Sequence, residues 1–504
     1  MFTHYLQPDF PTFQARSQQG NLVPVWMELA ADYETPLSAF QKIDDGRHGF
    51  LLESAELTQH SGRYSLLGSS PRLIFTARGK DIEIEDRGQI RKLTAESDPM
   101  RDLENIMAEF KPVGPPPAPV FHGGAVGYLS YDMVRFFEPT LSPPPPDELG
   151  LPDMIFMVAD TVVIFDHKHR KLTIVANVFI PDHASAEDAY AWAGDKIQGI
   201  ITKLETPLKV RALQAFAPEG TTGAPAPQGN TTQAEYEAMV VAGKEFIKAG
   251  DIFQFVPSQR FETPFPGNPL DLYRALRHVN PSPYMFCLRF PDGFSLVGSS
   301  PEVHVKCLDG KIEIRPIAGS RWRGKTPEED DALAAELLSD PKERAEHIML
   351  VDLARNDVGR VSEYGSVRVN ELMIIERYSH IMHIVSNVEG KLAPDCNAYD
   401  VMRATFPAGT VSGSPKVRAM EIINSLEKSK RCAYAGAVGY FGFDGGLDSC
   451  IALRTCVVKD NKAYVQAGAG VVADSDPTYE YNETVTKARG MMLALQRAKE
   501  LADS

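Results

Sequence analysis

Hydrophobic and polar positions divide this chain into short strand-like runs and amphipathic helices. Residues 161–165 and 171–175 are rich in β-branched side chains and are separated by a short polar segment, which predicts two neighbouring strands. Thr232-Gln233-Ala234-Glu235 has the form of a capping box, and apolar residues recur after it at helical spacing. The pattern therefore predicts a helix that begins after Thr232 and ends at Gly250.

Further apolar runs predict buried strands, and the order of the elements predicts the fold class. Strands are predicted over residues 251–261, 434–440 and 450–458, and a helix is predicted to begin at Ser414-Pro415-Lys416. Strands and helices do not alternate strictly, which argues against a doubly wound parallel sheet. We therefore expect an α+β fold in which large antiparallel β-sheets pack together with helices on the outside.

A change in composition near residue 208 predicts the domain organisation. Residues 216–230 are rich in Ala, Pro, Gly and Thr, which is typical of a linker. We expect an N-terminal region over residues 1–207, a linker over 208–231 and a catalytic domain over 232–504.

Composition also excludes several classes of protein. The chain has 67 acidic and 52 basic residues, a formal net charge of −15, which argues against nucleic acid or an anionic membrane as the main partner. The N-terminal residues lack the pattern of a secretory signal, and the longest apolar run, residues 154–165, is too short to span a bilayer. The six cysteines include no Cys-x-x-Cys pair, so we expect reduced thiols in a cytoplasmic protein.

Two short stretches, residues 340–346 and 476–483, each place Asp-Pro ahead of a Glu-x-x-Glu pair. Asp suits an N-cap and Pro suits the first helical position, so both stretches are predicted to begin helices. Residues three apart share a helix face, which gives each helix a pair of carboxylates near its first turn. The two pairs predict an oxygen-only site for a hard cation such as Mg²⁺. Its candidate ligands are Glu343, Glu346, Glu480 and Glu483.

Two other interpretations of the glutamates need to be weighed. Acidic residues in a first turn complement the helix dipole, and for either pair alone this is the more common explanation. A carboxylate-bridged di-iron site needs Glu-x-x-His. His347 instead follows Glu346 directly and lies four residues after Glu343, so the spacing favours magnesium over iron.

Three further features suit a bound anion. Gly468-Ala469-Gly470 lacks the helix start and the acidic residue of a dinucleotide site, so we interpret its glycines as allowing close backbone approach to an anion. Thr410 lies in a segment that opens a helix, which indicates either a simple cap or a carboxylate or phosphate site. Arg454 is the lone charge in a buried-looking run and requires an internal acid or a bound anion.

Glu302 and His383 are candidate proton-transfer groups, although a residue of either type taken singly is more often structural. Together with the glutamates and the anion-binding features, they predict a Mg²⁺-dependent enzyme that acts on a small polyanion.

Segments spread over nearly the whole chain carry a specific resemblance. The chain resembles the chorismate-utilising enzymes, and among them the anthranilate synthase component I group. The matching segments are Leu51-Leu52-Glu53-Ser54, Gly62-Arg63-Tyr64-Ser65, Asp251-Ile252-Phe253-Gln254, Asn280-Pro281-Ser282-Pro283-Tyr284-Met285, residues 298–302, Pro316-Ile317-Ala318-Gly319, residues 346–357 and residues 466–483.

The resemblance implies the chorismate-utilising fold and a role for each candidate residue. Glu346 and Glu483 would hold Mg²⁺, with Glu343 and Glu480 assisting directly or through water. Glu302 would be the general acid for the departing C4 hydroxyl, and His383 would be associated with the loss of pyruvate. The residues that would receive the carboxylates of chorismate are Arg454, Tyr434, Thr410, Gly319 and the backbone at Ala469 and Gly470, with Thr410 also counted as catalytic.

Two positions distinguish members of the resembled family. Isochorismate and salicylate synthases carry a lysine base where this chain has Gln254, and aminodeoxychorismate synthases carry a nucleophilic lysine where it has Ala318. Both residues favour anthranilate synthase, because ammonia is already a nucleophile. Aminodeoxychorismate synthase is the alternative within the family, and a catalytically silent tryptophan-binding regulator is the alternative outside it.

The resemblance also implies regulation and a partner. Tryptophan would act as feedback inhibitor at a site formed by Glu53, Ser54, Pro283, Tyr284, Met285 and Cys450, with Arg63 and Tyr64 nearby. The chain shows no cysteine nucleophile of the glutaminase kind. A separate glutamine amidotransferase small subunit is therefore expected to supply ammonia, in a heterotetramer.

Overall fold

The computed structural model describes residues 5–54, 62–208, 229–378 and 381–503. These residues form twelve helices, α1 to α12 in chain order: Phe10–Ser17, Pro36–Ile43, Pro99–Ala108, Val134–Phe137, Ala186–Leu204, Gln233–Ala249, Pro269–Val279, Pro327–Ser339, Pro341–Gly359, Ala398–Thr405, Lys416–Leu426 and Pro477–Asp503. Short 3-10 turns lie at Tyr131–Met133, Ile180–Asp182 and Gly409–Val411. No helix in the described ranges has both the length and the apolar content that a bilayer crossing requires.

The same residues form 24 strands, β1 to β24 in chain order. They are Leu22–Ala30, Gly49–Glu53, Tyr64–Ser69, Leu73–Arg78, Asp81–Asp86, Gln89–Thr94, Gly124–Leu129, Met154–Ala159, Thr161–Asp166, Lys171–Phe179, Gln254–Phe255, Ser258–Pro264, Tyr284–Arg289, Ser295–Ser300, Val303–Leu308, Lys311–Ile314, Ile317–Trp322, Arg368–Arg377, Ile381–Lys391, Gly413–Ser414, Ala437–Gly442, Leu447–Ile451, Thr455–Lys459 and Lys462–Gly468.

Two large antiparallel sheets account for most of the strands. Sheet I has ten strands in the order β1-β10-β9-β3-β2-β13-β14-β23-β24-β12. Sheet II has twelve strands in the order β17-β19-β16-β15-β22-β21-β7-β8-β4-β5-β6, with β18 paired to β19, and β11 and β20 form a separate small pair. The predicted α+β class with large antiparallel sheets is confirmed.

Both sheets combine strands from the two halves of the chain. In sheet I, β13 pairs with β2, and in sheet II, β21 pairs with β7. Residues 209–228 of the predicted linker lie outside the described residues. The division into an N-terminal region, a linker and a catalytic domain stays a prediction, and the sheets show that the regions flanking the linker share one hydrogen-bonded framework.

The hydrophobic core has three layers because each sheet buries both faces. Phe50, Phe286 and Leu296 of sheet I pack against Tyr128 and Val438 of sheet II, so this cluster lies between the sheets. The outer face of sheet I is covered by helices such as α5 and α12, and the outer face of sheet II is covered by helices such as α9 and α10. The helices therefore lie on the outside, as the sequence predicts.

The local signals that define single elements are confirmed. Helix α6 has Thr232 as its N-cap, with the reciprocal capping box to Glu235, and ends at Gly250 with a φ of +84°. Strands β9 and β10 pair in antiparallel register from Thr161 with Ala176 to Asp166 with Lys171.

Three strand predictions are wrong in their limits. Residues 251–261 form β11 and the start of β12, which pair with β20 and β24 and are separated at Pro257, where the backbone has no N–H to donate. Residues 450–458 also divide, because β22 belongs to sheet II and β23 to sheet I, and the chain crosses between them at residues 452–454. Residues 434–436 precede β21, which begins at Ala437.

Candidate active site

The two Asp-Pro stretches begin helices, as predicted. Asp340 is the N-cap of α9 and accepts hydrogen bonds from the backbone N–H groups of Lys342 and Glu343. Asp476 accepts one from the N–H of Tyr479 at the start of α12. Each helix therefore presents its Glu-x-x-Glu pair in the first turns.

The glutamates of the two helices influence one another across the site. Burial raises the pKa of Glu346, the hydrogen bond from Gln254 opposes the rise, and the charges of Glu343 and Glu483 add to it. Burial also raises the pKa of Glu480 to about 7, with a further contribution from the charge of Glu483 and an opposing hydrogen bond from Ser475. The repulsion among these carboxylates is of the kind that a bound cation relieves.

Three of the four glutamates have a hydrogen-bond or ion-pair partner within the protein. Gln254 Nε2 lies 2.9 Å from Glu346 Oε1, Arg321 Nη1 lies 3.2 Å from Glu343 Oε1, and Lys487 Nζ lies 3.1 Å from Glu483 Oε1. Over the described ranges, no group of three or more His, Cys, Asp or Glu side chains is arranged to hold a metal ion. The oxygen donors fit Mg²⁺ in type, but a metal shell here needs substrate or water oxygens as well, which Mg²⁺ commonly retains.

Glu302 lies between β14 and β15 and is only 7% exposed. Burial raises its pKa to about 8, against the opposing influence of the Thr410 side chain and the positive charges of Lys487 and Arg454. A carboxyl group with this pKa is mostly protonated at neutral pH, so Glu302 can donate a proton.

His383 lies on β19, with Nδ1 3.0 Å from the carbonyl oxygen of Gly319. Because a carbonyl only accepts, Nδ1 carries the proton in this contact and Nε2 is left as the acceptor nitrogen. Burial lowers the pKa of His383, the Gly319 contact opposes the shift, and the charge of Arg454 adds to it. The imidazole is therefore neutral at physiological pH and can accept a proton.

Arg454 influences both the candidate acid and the candidate base through its charge. It sits in the crossover between β22 and β23 with a φ of +45°, half-buried, and its Nη1 lies 3.4 Å from Asn280 Oδ1. Its charge influences the pKa values of both Glu302 and His383. The charge of the predicted anion-binding arginine thus reaches both proton-transfer candidates.

The glycine segment lies against the glutamate pairs. A Cβ atom added to Gly470 would lie 2.8 Å from Gln254 Nε2 and 3.8 Å from Glu346 Oε1, and one added to Gly468 would lie 2.8 Å from the Tyr434 hydroxyl. The N–H of Ala469 donates to the carbonyl of Pro257, so this amide is already used within the fold. Close approach of an anion to the backbone is therefore expected at Gly470 rather than at Ala469.

A side chain at Gly319 would also lie too close to a glutamate of the site. Its φ is +65°, and an added Cβ atom would lie 2.9 Å from Glu343 Oε2. Its carbonyl accepts from His383, so this residue joins the histidine to the glutamate face of the site.

Sequence reasoning missed a buried ion pair that holds these parts together. Arg431 donates to both carboxylate oxygens of Glu427 and to the backbone carbonyls of Val411 and Val256. Its guanidinium also lies 5.6 Å from the centre of the Tyr434 ring. Val411 follows Thr410, and Val256 lies two residues after Gln254, so one side chain fixes three segments of the site. The signal that could have revealed it is the basic run 428–431 directly before a long apolar stretch.

A separate cavity of about 760 Å³ lies between the two sheets. All six residues predicted to bind tryptophan line it: Glu53, Ser54, Pro283, Tyr284, Met285 and Cys450. Arg63 and Tyr64 also line it, together with residues that sequence reasoning missed: Leu52, Gly62, Leu66, Val120, His167, Lys168, Phe286, Lys306, Val438, Gly439, Tyr440 and Asp448. Most of these residues lie on strands β2, β3, β13, β15, β21 and β22, which only the fold brings together, whereas Gly62, Val120, His167 and Lys168 lie between strands.

The cavity has apolar walls and a carboxylate on each of its two sheets. Glu53 on β2 accepts from the Tyr273 hydroxyl at 2.5 Å and from the Ser65 hydroxyl at 3.3 Å. Asp448 on β22 accepts from the Tyr284 hydroxyl at 2.9 Å and pairs with Lys306 Nζ at 3.4 Å. Apolar walls and carboxylates together suit a small aromatic molecule that carries an amine.

Known proteins resemble this chain over both the candidate active site and the cavity between the sheets. The family described as chorismate binding enzyme matches residues 48–493. Anthranilate synthase component 1 from Acetivibrio thermocellus is 45% identical over 496 residues, which cover 98% of this chain and 99% of that protein. Anthranilate synthase component 1 from Aquifex aeolicus (strain VF5) is 46% identical over 487 residues, which cover 96% and 97% of the two chains.

Solved structures show the same architecture. The crystal structure of anthranilate synthase component I from Streptococcus pneumoniae TIGR4 has a TM-score of 0.74 at 38% sequence identity, covering 87% of this chain and 94% of that chain. The menaquinone-specific isochorismate synthase from Escherichia coli has a TM-score of 0.70 at 16% identity, covering 97% and 100%, and that likeness shows the fold alone.

The buried ion pair predicts a large difference between two Glu→Gln substitutions near one helix. Glu427→Gln leaves the charge of Arg431 uncompensated in the interior and is expected to cost about 3–5 kcal/mol of stability. Glu421→Gln on α11 removes a half-exposed ion pair with Arg418 and is expected to cost less than about 1 kcal/mol. Thermal unfolding of both variants measures the difference, and equal melting temperatures would contradict the assignment.

Proposed function

The chain belongs to the family of chorismate-binding enzymes, in the group of anthranilate synthase component 1, and from this membership we propose that it converts chorismate and ammonia into anthranilate and pyruvate. It is an enzyme of tryptophan biosynthesis that acts on chorismate. The observation that carries the finer proposal is the buried carboxyl group of Glu302, whose pKa is raised to about 8, within reach of the charge of Arg454, which also reaches the neutral His383.

Glu302 supplies the proton that the first step needs. Ammonia adds at C2 while the C4 hydroxyl leaves, and a departing hydroxide must be protonated. A buried, protonated carboxyl group meets that need at neutral pH. Thr410 and Arg454, which oppose the pKa rise, also stabilise the carboxylate that remains after proton transfer.

Gln254 occupies the position where the nucleophile would be received. Its Nε2 donates to Glu346, and its buried Oε1 has no hydrogen-bond partner in the part of the chain that the structure describes. An amide oxygen accepts a hydrogen bond from neutral ammonia and leaves the nitrogen lone pair free to attack. A lysine base for water is absent at this position, and Ala318 supplies no nucleophile of its own.

His383 and Arg454 act on the second half of the reaction. Loss of pyruvate makes the ring aromatic and requires removal of the C2 proton, for which the neutral His383, with Nε2 as acceptor, is suited. Arg454 is suited to bind a carboxylate of the substrate, together with the backbone at Gly470 and the Tyr434 hydroxyl.

The carboxylates on α9 and α12 are proposed to hold Mg²⁺, which makes this chain a magnesium-dependent lyase. Glu346 and Glu483 are the proposed ligands, while Glu343 remains paired with Arg321 and Glu480 lies beside Glu483. When bound, Mg²⁺ would supply the positive charge that fixes the ring carboxylate of chorismate.

Tryptophan is the proposed occupant of the cavity between the sheets, where it would act as a feedback inhibitor. Glu53 is suited to an ammonium group, and the aromatic walls from Tyr284, Phe286 and Tyr440 are suited to an indole ring. Saturating tryptophan is expected to inhibit the reaction, and a rate that does not change at saturation would contradict this assignment.

A glutamine amidotransferase small subunit is the proposed source of ammonia, in a cytoplasmic heterotetramer. All six cysteines are free thiols, five of them buried, and none lies in a Gly-x-Cys-x-Gly turn. The chain therefore has no cysteine nucleophile with which to release ammonia from glutamine. Because the partner would serve to supply ammonia, free ammonium should support the reaction without it.

One assay tests the proposed reaction directly. The purified chain, mixed with chorismate, Mg²⁺ and ammonium, is expected to produce the fluorescence of anthranilate and one pyruvate for each anthranilate. Accumulation of aminodeoxychorismate without pyruvate would select aminodeoxychorismate synthase instead. Absence of any product, together with tryptophan binding, would indicate a regulator without catalytic activity.

The raised pKa of Glu302 predicts the alkaline limb of the pH profile. The protonated acid is the active form, so kcat/KM should fall as pH rises through about 8, by about tenfold per pH unit. The concentration of uncharged ammonia must be held constant across the series. Glu302→Gln should lower kcat by about 10²–10⁴-fold, whereas Glu328→Gln at an exposed position should not; a Glu302→Gln variant with a normal rate would remove Glu302 from the mechanism.

The metal assignment predicts a ranking among the glutamates. Glu346→Gln and Glu483→Gln should each abolish Mg²⁺-dependent turnover, because the amide keeps the shape but loses the ligand charge. Glu343→Gln should have a smaller effect, because the family resemblance gives this carboxylate only an assisting role. Calorimetric titration with Mg²⁺ in the presence of chorismate provides a readout independent of rate, and undiminished Mg²⁺ affinity in Glu346→Gln would contradict the assignment.

A further inference from the structure

One strand, β22, separates the cavity from the pocket of the candidate acid. Its side chains alternate between the two faces of sheet II. Asp448 and Cys450 line the cavity. Ser449, between them, faces the opposite side, where its hydroxyl lies 3.3 Å from His304 Nδ1. The two sites are therefore one strand thickness apart.

His304 is an extra residue in the pairing of β15 with β22. Val303 pairs with Cys450, and Val305 pairs with Ser449, so His304 has no residue opposite and forms a β-bulge. A bulge of this kind redirects a side chain out of the regular alternation. His304 is 3% exposed and lies two residues after Glu302, in the same small pocket as Thr410.

The second ring nitrogen of His304 reaches the segment that carries Thr410. His304 Nε2 lies 3.4 Å from the carbonyl oxygen of Thr405, the last residue of α10. The ammonium group of Lys416 donates to the same carbonyl at 3.1 Å and to Asp357 at 2.8 Å. The chain then continues through Phe406, whose ring meets the imidazole edge-on, and reaches Thr410 after a short turn.

The backbone of Glu302 is tied to the same strand. The N–H of Ile451, at the end of β22, donates to the carbonyl of Glu302 at 3.1 Å. A small shift of β22 therefore reaches Glu302 through its backbone and Thr410 through His304.

Ser449 gives this connection two discrete arrangements. A neutral imidazole has one donor and one acceptor nitrogen, and Nε2 faces a carbonyl, so Nδ1 is the acceptor. The single proton of the Ser449 hydroxyl can be donated either to His304 Nδ1 or to the carbonyl of Val305, which lies 3.1 Å away. Elements with two discrete hydrogen-bond patterns are those that couple distant sites.

We propose that His304 is a positioning residue for Glu302 and Thr410, and that it carries the occupancy of the cavity across β22 to both of them. The inference rests on the proposed function, in which tryptophan fills the cavity and chorismate binds at Glu302. A ligand that moves Asp448 or Cys450 changes the hydrogen bond of Ser449 on the other face, and His304 then no longer holds the Thr405 carbonyl in place.

Thermodynamic linkage between the two ligands defines a coupling factor, which a residue with a purely structural role does not change. If tryptophan weakens chorismate binding by some factor, chorismate must weaken tryptophan binding by the same factor. The dissociation constant for tryptophan, measured with Mg²⁺ and without ammonium, in the presence and absence of saturating chorismate, gives this coupling factor without turnover.

Two substitutions at His304 separate its two contacts. Asn places an amide near the position of Nδ1 and keeps the contact to Ser449, whereas Gln reaches the position of Nε2 and the Thr405 carbonyl. His304→Asn is expected to bind tryptophan alone with an affinity near that of the wild type, with the coupling factor reduced from a typical value of about 5–150 to about 1. His304→Gln loses the contact to Ser449 instead and is also expected to reduce the coupling factor to about 1.

Matched variants complete the experiment. Ser449→Ala cuts the same connection from the other side and should also abolish coupling, which keeps the test open if His304→Asn does not fold. Cys307→Ala removes a buried side chain from the same strand, outside this chain of contacts, and should leave the coupling factor unchanged. Melting temperatures verify the folded state of each variant.

The outcomes distinguish this inference from the proposed function. Wild-type coupling that persists in folded His304→Asn or Ser449→Ala overturns the role of His304 alone, as does loss of tryptophan binding in the absence of chorismate. A wild-type protein that makes no anthranilate or binds no tryptophan overturns the proposed function, and the inference with it.

Discussion

The ion pair between Arg431 and Glu427 is the contact on which the candidate site depends. Its side chains are 2% and 4% exposed, and at that depth a charge is tolerated only when paired and fully hydrogen-bonded. The guanidinium meets this requirement by bonding the Val411 and Val256 carbonyls, which belong to segments carrying Thr410 and Gln254. Glu427 in turn accepts from the backbone and hydroxyl of Ser258 at the start of β12. The electrostatic requirement of one buried pair thus fixes the relative positions of three segments far apart in sequence.

The second constraint is the stacking of the two sheets. Their facing surfaces form a continuous apolar core except near β2, β13 and β22, where the cavity lies. The chain passes between the sheets at residues 452–454, and this crossover positions Arg454 so that its charge reaches Glu302 and His383, while β22 lines the cavity. The cavity and the candidate active site therefore share structural elements, and the contact of Ser449 with His304 lies between them.

Features encoded by neighbouring residues could be predicted from the sequence. The capping box at Thr232, the C-terminal Gly250 and the N-cap Asp340 each depend on contacts within a few positions, so sequence patterns identify them. Strand limits near Pro257 and Arg454 were predicted wrongly because apolar runs do not reveal which sheet a strand joins. His304 and Arg431 were missed for a related reason, since their partners Thr405, Val256 and Val411 are distant in sequence.

The sequence by itself determined the chemical inventory: four glutamates in two helix starts, a candidate acid and base, and the segments that carry the family resemblance. Only the tertiary structure decided how these groups are used. Burial turned Glu302 into an acid with a pKa of about 8 and kept His383 neutral, because desolvation depends on everything that packs around a group. Likewise, the pairing of Glu343 with Arg321 and of Glu346 with Gln254 distinguishes carboxylates that look equivalent along the chain. Local patterns are set by neighbours in sequence, whereas pKa values and partners are set by neighbours in space.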